Sequence, residues 1–126
     1  APVVHDGVTH RIGQCNNVFV FPGVGLGVLG SGAREVLPEF FTAAAHAVSS
    51  CVSKAEMEEG CLVPAVNTLK DVSAKVALAV AMSAVKYGVS RPCVFSTFQH
   101  EGDEARMGEL LRKMRWEPEY LPIVAM

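Results

Sequence analysis

The sequence lacks the features that mark several large classes of protein. No uninterrupted run of about 20 apolar residues occurs, so no membrane span is predicted. Neither sign of charge dominates, since 11 Lys and Arg accompany 13 Asp and Glu. No basic patch stands out, which argues against nucleic acid as a partner. No pair of the four cysteines has C-x-x-C spacing, which excludes a zinc knuckle or redox pair of that kind, and we expect reduced thiols in an intracellular protein.

What is present fits a single apolar domain. The chain has 126 residues, of which 50% are hydrophobic and only 19% charged. A domain of this length can bury enough surface to form a core without disulfides or metals. Local patterns predict mostly helices after a short hairpin. The predicted elements are strands near 2–5 and 8–12, an extended stretch at 17–21, a second extended stretch at 61–67, and helices at 22–32, 37–52, 72–87 and 103–114.

Several residues define these elements. Asp6-Gly7 tolerates the positive φ angles of a tight hairpin turn. Thr68-x-x-Asp71 has the spacing of a capping box that opens a helix, and Gly88 is the natural end of that helix. The stretch 53–60 is polar and predicts a turn or an exposed helical extension. The apolar stripes at helical spacing are Phe41, Ala44, Ala45 and Val48 in one helix, and Met107, Leu110, Leu111 and Met114 in another.

One glycine-rich stretch has the spacing of a nucleotide site. Residues 25–30 read GLGVLG, the G-x-G-x-x-G spacing of the dinucleotide-binding fingerprint. That fingerprint needs a second strand about 20 residues on, ending in an acidic residue for the ribose hydroxyls. An alanine-rich helix pattern occupies that position instead. We therefore favour close helix packing over phosphate binding at these glycines.

Among the polar residues, a cluster of amides is out of place. The histidines are scattered, although His5 and His10 could face each other across the hairpin, and the carboxylates lie in polar or terminal stretches. Gln14, Asn16 and Asn17, in contrast, directly precede a strongly apolar run. An amide can donate N–H to a carboxylate or carboxamide without carrying a charge. The residues alone leave open whether this cluster binds a ligand or caps a turn.

Three segments together resemble the malic enzyme family. Residues 11–36, RIGQCNNVFVFPGVGLGVLGSGAREV, look like the stretch that follows the cofactor-binding domain of these enzymes. Residues 62–81, LVPAVNTLKDVSAKVALAVA, are similar to the family pattern P-x-x-x-x-[LI]-x-[DG]-V-S before a long helix. WEPEY at 116–120 resembles the family's W-x-P-x-Y ending. The resemblance covers residues 1 to about 120, and the order and spacing of all three segments agree.

The resemblance implies an activity for a larger enzyme. Malic enzymes oxidise L-malate with NAD or NADP and a divalent cation, Mg²⁺ or Mn²⁺, and release pyruvate and CO2. This chain would be a C-terminal fragment, because the family's catalytic tyrosine and lysine, metal ligands and phosphate loop would all lie upstream. We therefore expect no catalytic residue, metal ligand, bound cofactor or turnover in the chain alone. The parent would be cytoplasmic or mitochondrial.

What the resemblance carries over is the asparagine pair. Asn17 would bind a malate carboxylate, and Asn16 would lie beside it, as a second substrate contact or close to the nicotinamide ring of the cofactor. The glycines after F-P-G would belong to a helix packed behind the active-site cleft, in agreement with the interpretation from the residues alone.

The predicted fold is a mostly α-helical fragment of an α/β, Rossmann-type dehydrogenase. It has a short N-terminal hairpin or strand, about four helices and an extended C-terminal tail. Residues 1–17 would end the cofactor-binding domain, 18–100 would form the helical part, and 101–126 would form the last helix and the tail. Since two helices are apolar nearly all round, we expect a homo-oligomer, with the tail exchanged between copies. The alternatives are a non-catalytic helical interaction domain and a small nucleotide-binding module.

Overall fold

A computed structural model of the chain describes residues 2–92, 103–117, 119, 120 and 122. The predicted mostly helical chain with a short N-terminal hairpin is confirmed. Cys93, His100 and half of the predicted tail lie outside the described residues. The strands are β1 (Val3–His5) and β2 (Val8–His10), and the helices are α1 (Phe21–Ser31), α2 (Pro38–Ser49), α3 (Lys54–Glu58), α4 (Leu69–Lys86) and α5 (Glu104–Met114), with 3₁₀ turns at Asn17–Phe19 and Val66–Thr68.

The hairpin forms as its turn residues predict. Asp6 and Gly7 have φ angles of 49° and 75°, the positive pair that a two-residue hairpin loop of type I′ requires. Strands β1 and β2 pair antiparallel, with Val3 opposite His10 and His5 opposite Val8. His5 and His10 are therefore not directly opposite each other. All six strand residues are exposed, so the hairpin projects from the described part of the chain.

Residues 17–21 do not form the predicted extended stretch. Asn17–Phe19 is a 3₁₀ turn, and α1 follows at once from Phe21. The physical reason lies in two local signals. Asn16 caps the turn with its side chain, and Pro22 lies in the first turn of α1, where its missing N–H costs nothing. The second extended stretch, 61–67, is likewise shortened by the 3₁₀ turn that precedes α4.

Helix α4 is the centre of the structure, since α1, α2 and α5 all pack against it. A helix that is apolar nearly all round needs neighbours on several sides, and these three helices supply them. Two separate sets of buried residues form the core. The larger set lies between α1, α2 and α4, and the smaller set lies where α4 packs against α5. The first contains Phe19, Val24, Phe40, Ala44, Val48, Val72, Val76, Val80, Ala84 and Val89, and the second contains Ala77, Ala81, Met107 and Leu111.

The prediction of the buried face of α2 was wrong by one position along the helix. Phe40 is fully buried and Phe41 is 46% exposed, whereas the sequence pattern favoured Phe41. Ala44 and Val48 are buried as predicted, and Ala45 is exposed. Phe40, Ala44 and Val48 have the same i, i+4, i+8 spacing as a stripe through Phe41 and Ala45, so periodicity alone could not choose between them.

The predicted capping box at Thr68 and Asp71 was also wrong. Thr68 is the N-cap of α4, but its side chain makes no capping bond; its hydroxyl donates to the Ala65 carbonyl oxygen, 2.7 Å away. Helix α4 starts at Leu69, three residues before its predicted first residue, because the 3₁₀ turn leads directly into it. At its other end, Gly88 has a φ of 69°, which confirms it as the glycine that ends the helix.

In α5, the predicted amphipathic pattern holds for half of its members. Met107 and Leu111 are buried, Leu110 is partly buried and Met114 is 50% exposed. Of the helices in the described ranges, none combines the length and the hydropathy that crossing a membrane would take.

Candidate functional site

The asparagine pair lies at the junction between the hairpin segment and the helices. Asn16 has an extended backbone, with φ −131° and ψ 142°, and its side-chain oxygen Oδ1 accepts the Val18 N–H at 2.9 Å. The Asn16 carbonyl oxygen also accepts the Phe19 N–H at 3.3 Å. Asn16 is therefore the N-cap of the 3₁₀ turn, one of the two roles that the sequence left open for the amide cluster.

Asn17 is the first residue of that turn and is exposed. Its carbonyl oxygen accepts the Val20 N–H at 2.9 Å, so its backbone is fixed. Its side-chain amide makes no hydrogen bond to any residue that the structure describes. Two residues on, Phe19 is 1% exposed and belongs to the main core, which anchors the turn. Asn17 thus presents an uncharged donor and acceptor from a fixed backbone.

The segment before the asparagine pair contacts the loop between α3 and α4. The Arg11 guanidinium lies 3.1 Å from the Glu59 carboxylate, and this hydrogen bond is the main reason that the pKa of Arg11 is raised. The Cys61 thiol donates to the Arg11 carbonyl oxygen at 3.6 Å. Gly13 passes so close to this loop that a methyl group there would lie 3.0 Å from Val63 Cγ2.

The sequence alone does not predict these supporting residues. Arg11 and Cys61 are 50 positions apart, and no local pattern links them. Gln14, the third amide of the cluster, is exposed and makes no side-chain hydrogen bond with the asparagines. Only the glycine at position 13, directly before the amides, hinted that a backbone or side chain comes close there.

The glycines of GLGVLG all lie inside α1 and form no phosphate-binding turn. Gly27 is buried and faces α4, where a methyl group would meet the Ala77 carbonyl oxygen at 2.6 Å. Gly23, four residues earlier, faces the same helix, with Val76 Cβ at 2.6 Å from such a methyl group. Gly25, in contrast, is exposed with nothing nearby. Close helix packing is confirmed, and these residues do not fit the phosphates of a dinucleotide.

The described residues do not fit a metal ion either. No group of three or more His, Cys, Asp and Glu side chains comes together among them. Cys15, Cys51 and Cys61 are free thiols, as expected for the three cysteines within the described ranges. His46 is exposed on α2, apart from the hairpin histidines in sequence and element.

An open groove of about 770 Å³ runs between α2 and the second half of α4. Its walls include Ala43, Ala79, Met82 and Val85, and its charged residues are Glu39 and Lys86. The Lys86 ammonium lies 5.6 Å from the centre of the Tyr87 ring. The groove contains neither asparagine of the pair and none of the amide cluster, so it is a second concavity without an assigned role.

Comparison with known proteins identifies the family. The family described as malic enzyme, NAD binding domain matches residues 1–85, a range that includes the hairpin, the asparagine pair and nearly all of α4. The chain belongs to the malic enzyme family. The resemblance seen in the sequence is thereby confirmed, and with it membership of an oxidoreductase family whose relatives are named for NAD.

Similar malic enzymes come from several bacteria. The chain is 40% identical to the NAD-dependent malic enzyme of Shewanella frigidimarina (strain NCIMB 400) over 119 residues, which is 94% of this chain and 20% of that protein. It is 43% identical to that of Sodalis glossinidius (strain morsitans) over 90 residues, or 71% of this chain and 16% of that protein. For Vibrio parahaemolyticus the identity is 37% over 94% of this chain and 20% of that protein. The chain spans about a fifth of the length of these relatives or less.

Proposed function

We propose that this chain is the C-terminal part of an NAD- or NADP-dependent malic enzyme and supplies its substrate-orienting asparagine. The complete enzyme would oxidise L-malate and release pyruvate and CO2 with the help of Mg²⁺ or Mn²⁺. The placement of Asn17 supports the proposal most directly. Its exposed side-chain amide lies on a fixed 3₁₀ turn, in a chain that belongs to the malic enzyme family.

The chemistry of an amide suits this task. Malate is a dicarboxylate, and an amide N–H donates to a carboxylate without a charge that must be neutralised when the substrate leaves. Asn17 would hold one malate carboxylate, with Asn16 beside it near the nicotinamide ring. Fixing the carboxylate orients the carbon that loses the hydride, and orientation of this kind lowers the barrier of the reaction.

The cofactor and the metal would be held by other parts of the enzyme. Neither the glycines of α1 nor any cluster of side chains in the described residues fits a dinucleotide or a divalent cation. When bound elsewhere in the enzyme, these groups would accept the hydride and polarise the substrate. We therefore propose that residues 1–126 alone have no turnover.

Titration of the isolated chain with NAD separates this proposal from the small nucleotide-binding module. We expect no saturable change in heat or fluorescence, because GLGVLG is a packing face. Saturable binding that disappears in Gly25→Val, a change on the open side of α1, would support the module instead. The proposal for Asn17 itself is tested by malate kinetics of the complete enzyme, set out in the Discussion.

A further inference from the structure

The turn of the β1–β2 hairpin joins an aspartate to a glycine, Asp6 and Gly7. Among the residues that the structure describes, Asp6 is the only one other than glycine with a positive φ, 49°. Aspartate accepts this left-handed region more readily than most residues, but its Cβ still makes the region less favourable than it is for glycine. The backbone of Asp6 is therefore relieved of strain when the turn opens.

Side-chain packing does not hold this turn closed. All six strand residues are exposed, and even the valines of the hairpin have more than half of their surface in solvent. A methyl group on Gly7 would have no atom within 4 Å, so no other side chain covers the turn. A two-stranded hairpin without further packing is only marginally stable in water. We therefore expect the turn to open often.

Once the turn opens, an aspartate followed by glycine can cyclise. The Gly7 amide nitrogen attacks Cγ of the protonated Asp6 carboxyl group, and the carboxyl OH leaves with the amide proton as water. The product is a five-membered succinimide ring. Glycine favours the attack because it has no Cβ beside the attacking nitrogen. The carboxylate must first gain a proton, and the His5 Nε2, 3.5 Å from Asp6 Oδ2, can supply one when the imidazole is protonated.

Water then reopens the ring at one of its two carbonyl carbons. Attack at the side-chain carbonyl restores aspartate. Attack at the backbone carbonyl leaves Gly7 bonded to Cγ of Asp6, so that the main chain runs through Cβ and the α-carboxylate becomes free. This second product is isoaspartate. One water leaves when the ring closes and one enters when it opens, so the conversion needs no oxidant, reductant or cofactor.

We propose that Asp6 is a modification site at which this protein converts aspartate into isoaspartate without the help of another protein. The exposed, unpacked hairpin supplies the opening that ring closure requires, and Gly7 supplies the unhindered nitrogen. The side chain of Asp6 is 90% exposed, so water reaches the succinimide as soon as it forms. This inference goes beyond the proposed function and does not depend on it.

Isomerisation should change the hairpin and leave the helices intact. Isoaspartate adds one methylene group to the main chain, so the two-residue turn no longer forms and the register that places Val3 opposite His10 is lost. The contact between Arg11 and Glu59 lies beyond the hairpin, and neither set of core residues includes a hairpin residue. The free energy of unfolding of the helical part should therefore stay the same.

The test is to incubate the folded 126-residue chain at neutral pH in heavy-oxygen water, and then to digest it with trypsin in ordinary water. Ring opening by water introduces one heavy oxygen, and electron-based fragmentation of the peptide that ends at Arg11 distinguishes isoaspartate from aspartate. We expect labelled isoaspartate at position 6 that accumulates with time. Asp71 and Asp103 are internal controls, because valine and glutamate follow them, and they should remain unlabelled aspartate.

Two variants keep a turn that accepts positive φ angles and alter the chemistry. Asp6→Gly has no carboxyl group and should lose the product completely. Gly7→Asn places a Cβ beside the attacking nitrogen, in a residue that tolerates positive φ, and should form the product more slowly than wild type. Product formation in Gly7→Asn as fast as in wild type would contradict the role of Gly7.

A synthetic peptide of residues 1–11 shows how fast the same sequence isomerises outside the folded chain. If the peptide forms isoaspartate and the folded chain does not, the closed turn protects Asp6 and the proposal is overturned. Equal labelling of Asp6, Asp71 and Asp103 would overturn it as well, because the hairpin would then have no special role. A fall in the free energy of unfolding of the isomerised chain would contradict the separation of the hairpin from the helical core.

Discussion

Gly27 of α1 lies directly against Val80 of α4. A methyl group on Gly27 would be 2.8 Å from Val80 Cβ and 2.6 Å from the carbonyl oxygen of Ala77, closer than any side chain can approach. Gly23 meets Val76 in the same way one turn earlier. The helix behind the asparagine pair is therefore rich in glycine because two backbones run close together there, with no phosphate involved.

The three glycines 23, 25 and 27 provide a matched test of this packing. Gly23→Ala and Gly27→Ala should each lower the free energy of unfolding by about 1–3 kcal/mol, the usual cost of overpacking. Gly25→Ala should raise it by up to about 1 kcal/mol, since Gly25 faces open space and alanine favours a helix. Denaturant unfolding of the isolated chain measures all three. Equal destabilisation by all three changes would contradict the packing explanation.

Acid should loosen the cap of α3. The Ser53 hydroxyl and backbone N–H both contact the Glu56 carboxylate, at 2.7 and 2.9 Å, and these bonds hold the pKa of Glu56 below its ordinary value. A carboxylate with a lowered pKa stabilises the folded state above its unfolded pKa, and the contribution is lost as the pH falls through the lowered value.

An NMR titration of the Glu56 carboxyl carbon checks this expectation. In Ser53→Ala, which removes the hydroxyl, the pKa of Glu56 should move up toward its ordinary value. Ser50→Ala is a suitable control, because the Ser50 hydroxyl donates to the Ala47 carbonyl oxygen and does not touch Glu56. If the Glu56 carboxyl titrates with the same midpoint in wild type and in Ser53→Ala, the capping box between Ser53 and Glu56 does not form in solution.

The outer face of α1 predicts self-association of the isolated chain. Phe21, Gly25 and Leu29 lie at i, i+4 and i+8 on this face, and the two large side chains are 57% and 76% exposed. Exposed contiguous apolar surface is rare in soluble monomers. Leu29→Glu should shift the chain toward monomer in light scattering coupled to size exclusion.

Leu62→Glu is the control for that shift. Leu62 is 86% exposed in the loop after α3, so this variant adds the same charge without touching α1. We expect it to associate like wild type. A wild-type chain that stays monomeric at micromolar concentration would contradict the prediction, including its proposed exchange of the C-terminal tail.

Much of the fold follows from local signals in the sequence, and the errors have physical causes. Asp6-Gly7 predicted the hairpin because few other dipeptides accept two positive φ angles. The choice between Phe40 and Phe41 in α2 depends on where α4 lies, which no local pattern contains. A capping box forms at Ser53 and Glu56, which have the Ser-x-x-Glu spacing. Thr68 and Asp71 have a similar spacing but form no box, because Thr68 ends a 3₁₀ turn and its side chain makes no capping bond.

The candidate site was predictable only in part. The amides stood out because polar residues directly before an apolar run need partners. The sequence could not predict which asparagine caps the turn, because adjacent identical residues give the same local signal. Asn16 is the cap because of where the 3₁₀ turn begins. The ties from Arg11 and Cys61 bring together residues about 50 positions apart, and they exist only in the folded chain.

The most direct test of the whole account is malate kinetics of Asn17→Ala in the complete enzyme. A lost hydrogen bond to a charged group costs about 1.5–3 kcal/mol, which corresponds to a fall of roughly 10- to 150-fold in kcat/KM for malate. Asn17→Asp should lose more, because it places a negative charge against the malate carboxylate. Asn67→Ala, an exposed asparagine in the other 3₁₀ turn, is the matched control and should match wild type. The account predicts this loss with an unchanged KM for NAD; wild-type kcat/KM for malate in Asn17→Ala would contradict it.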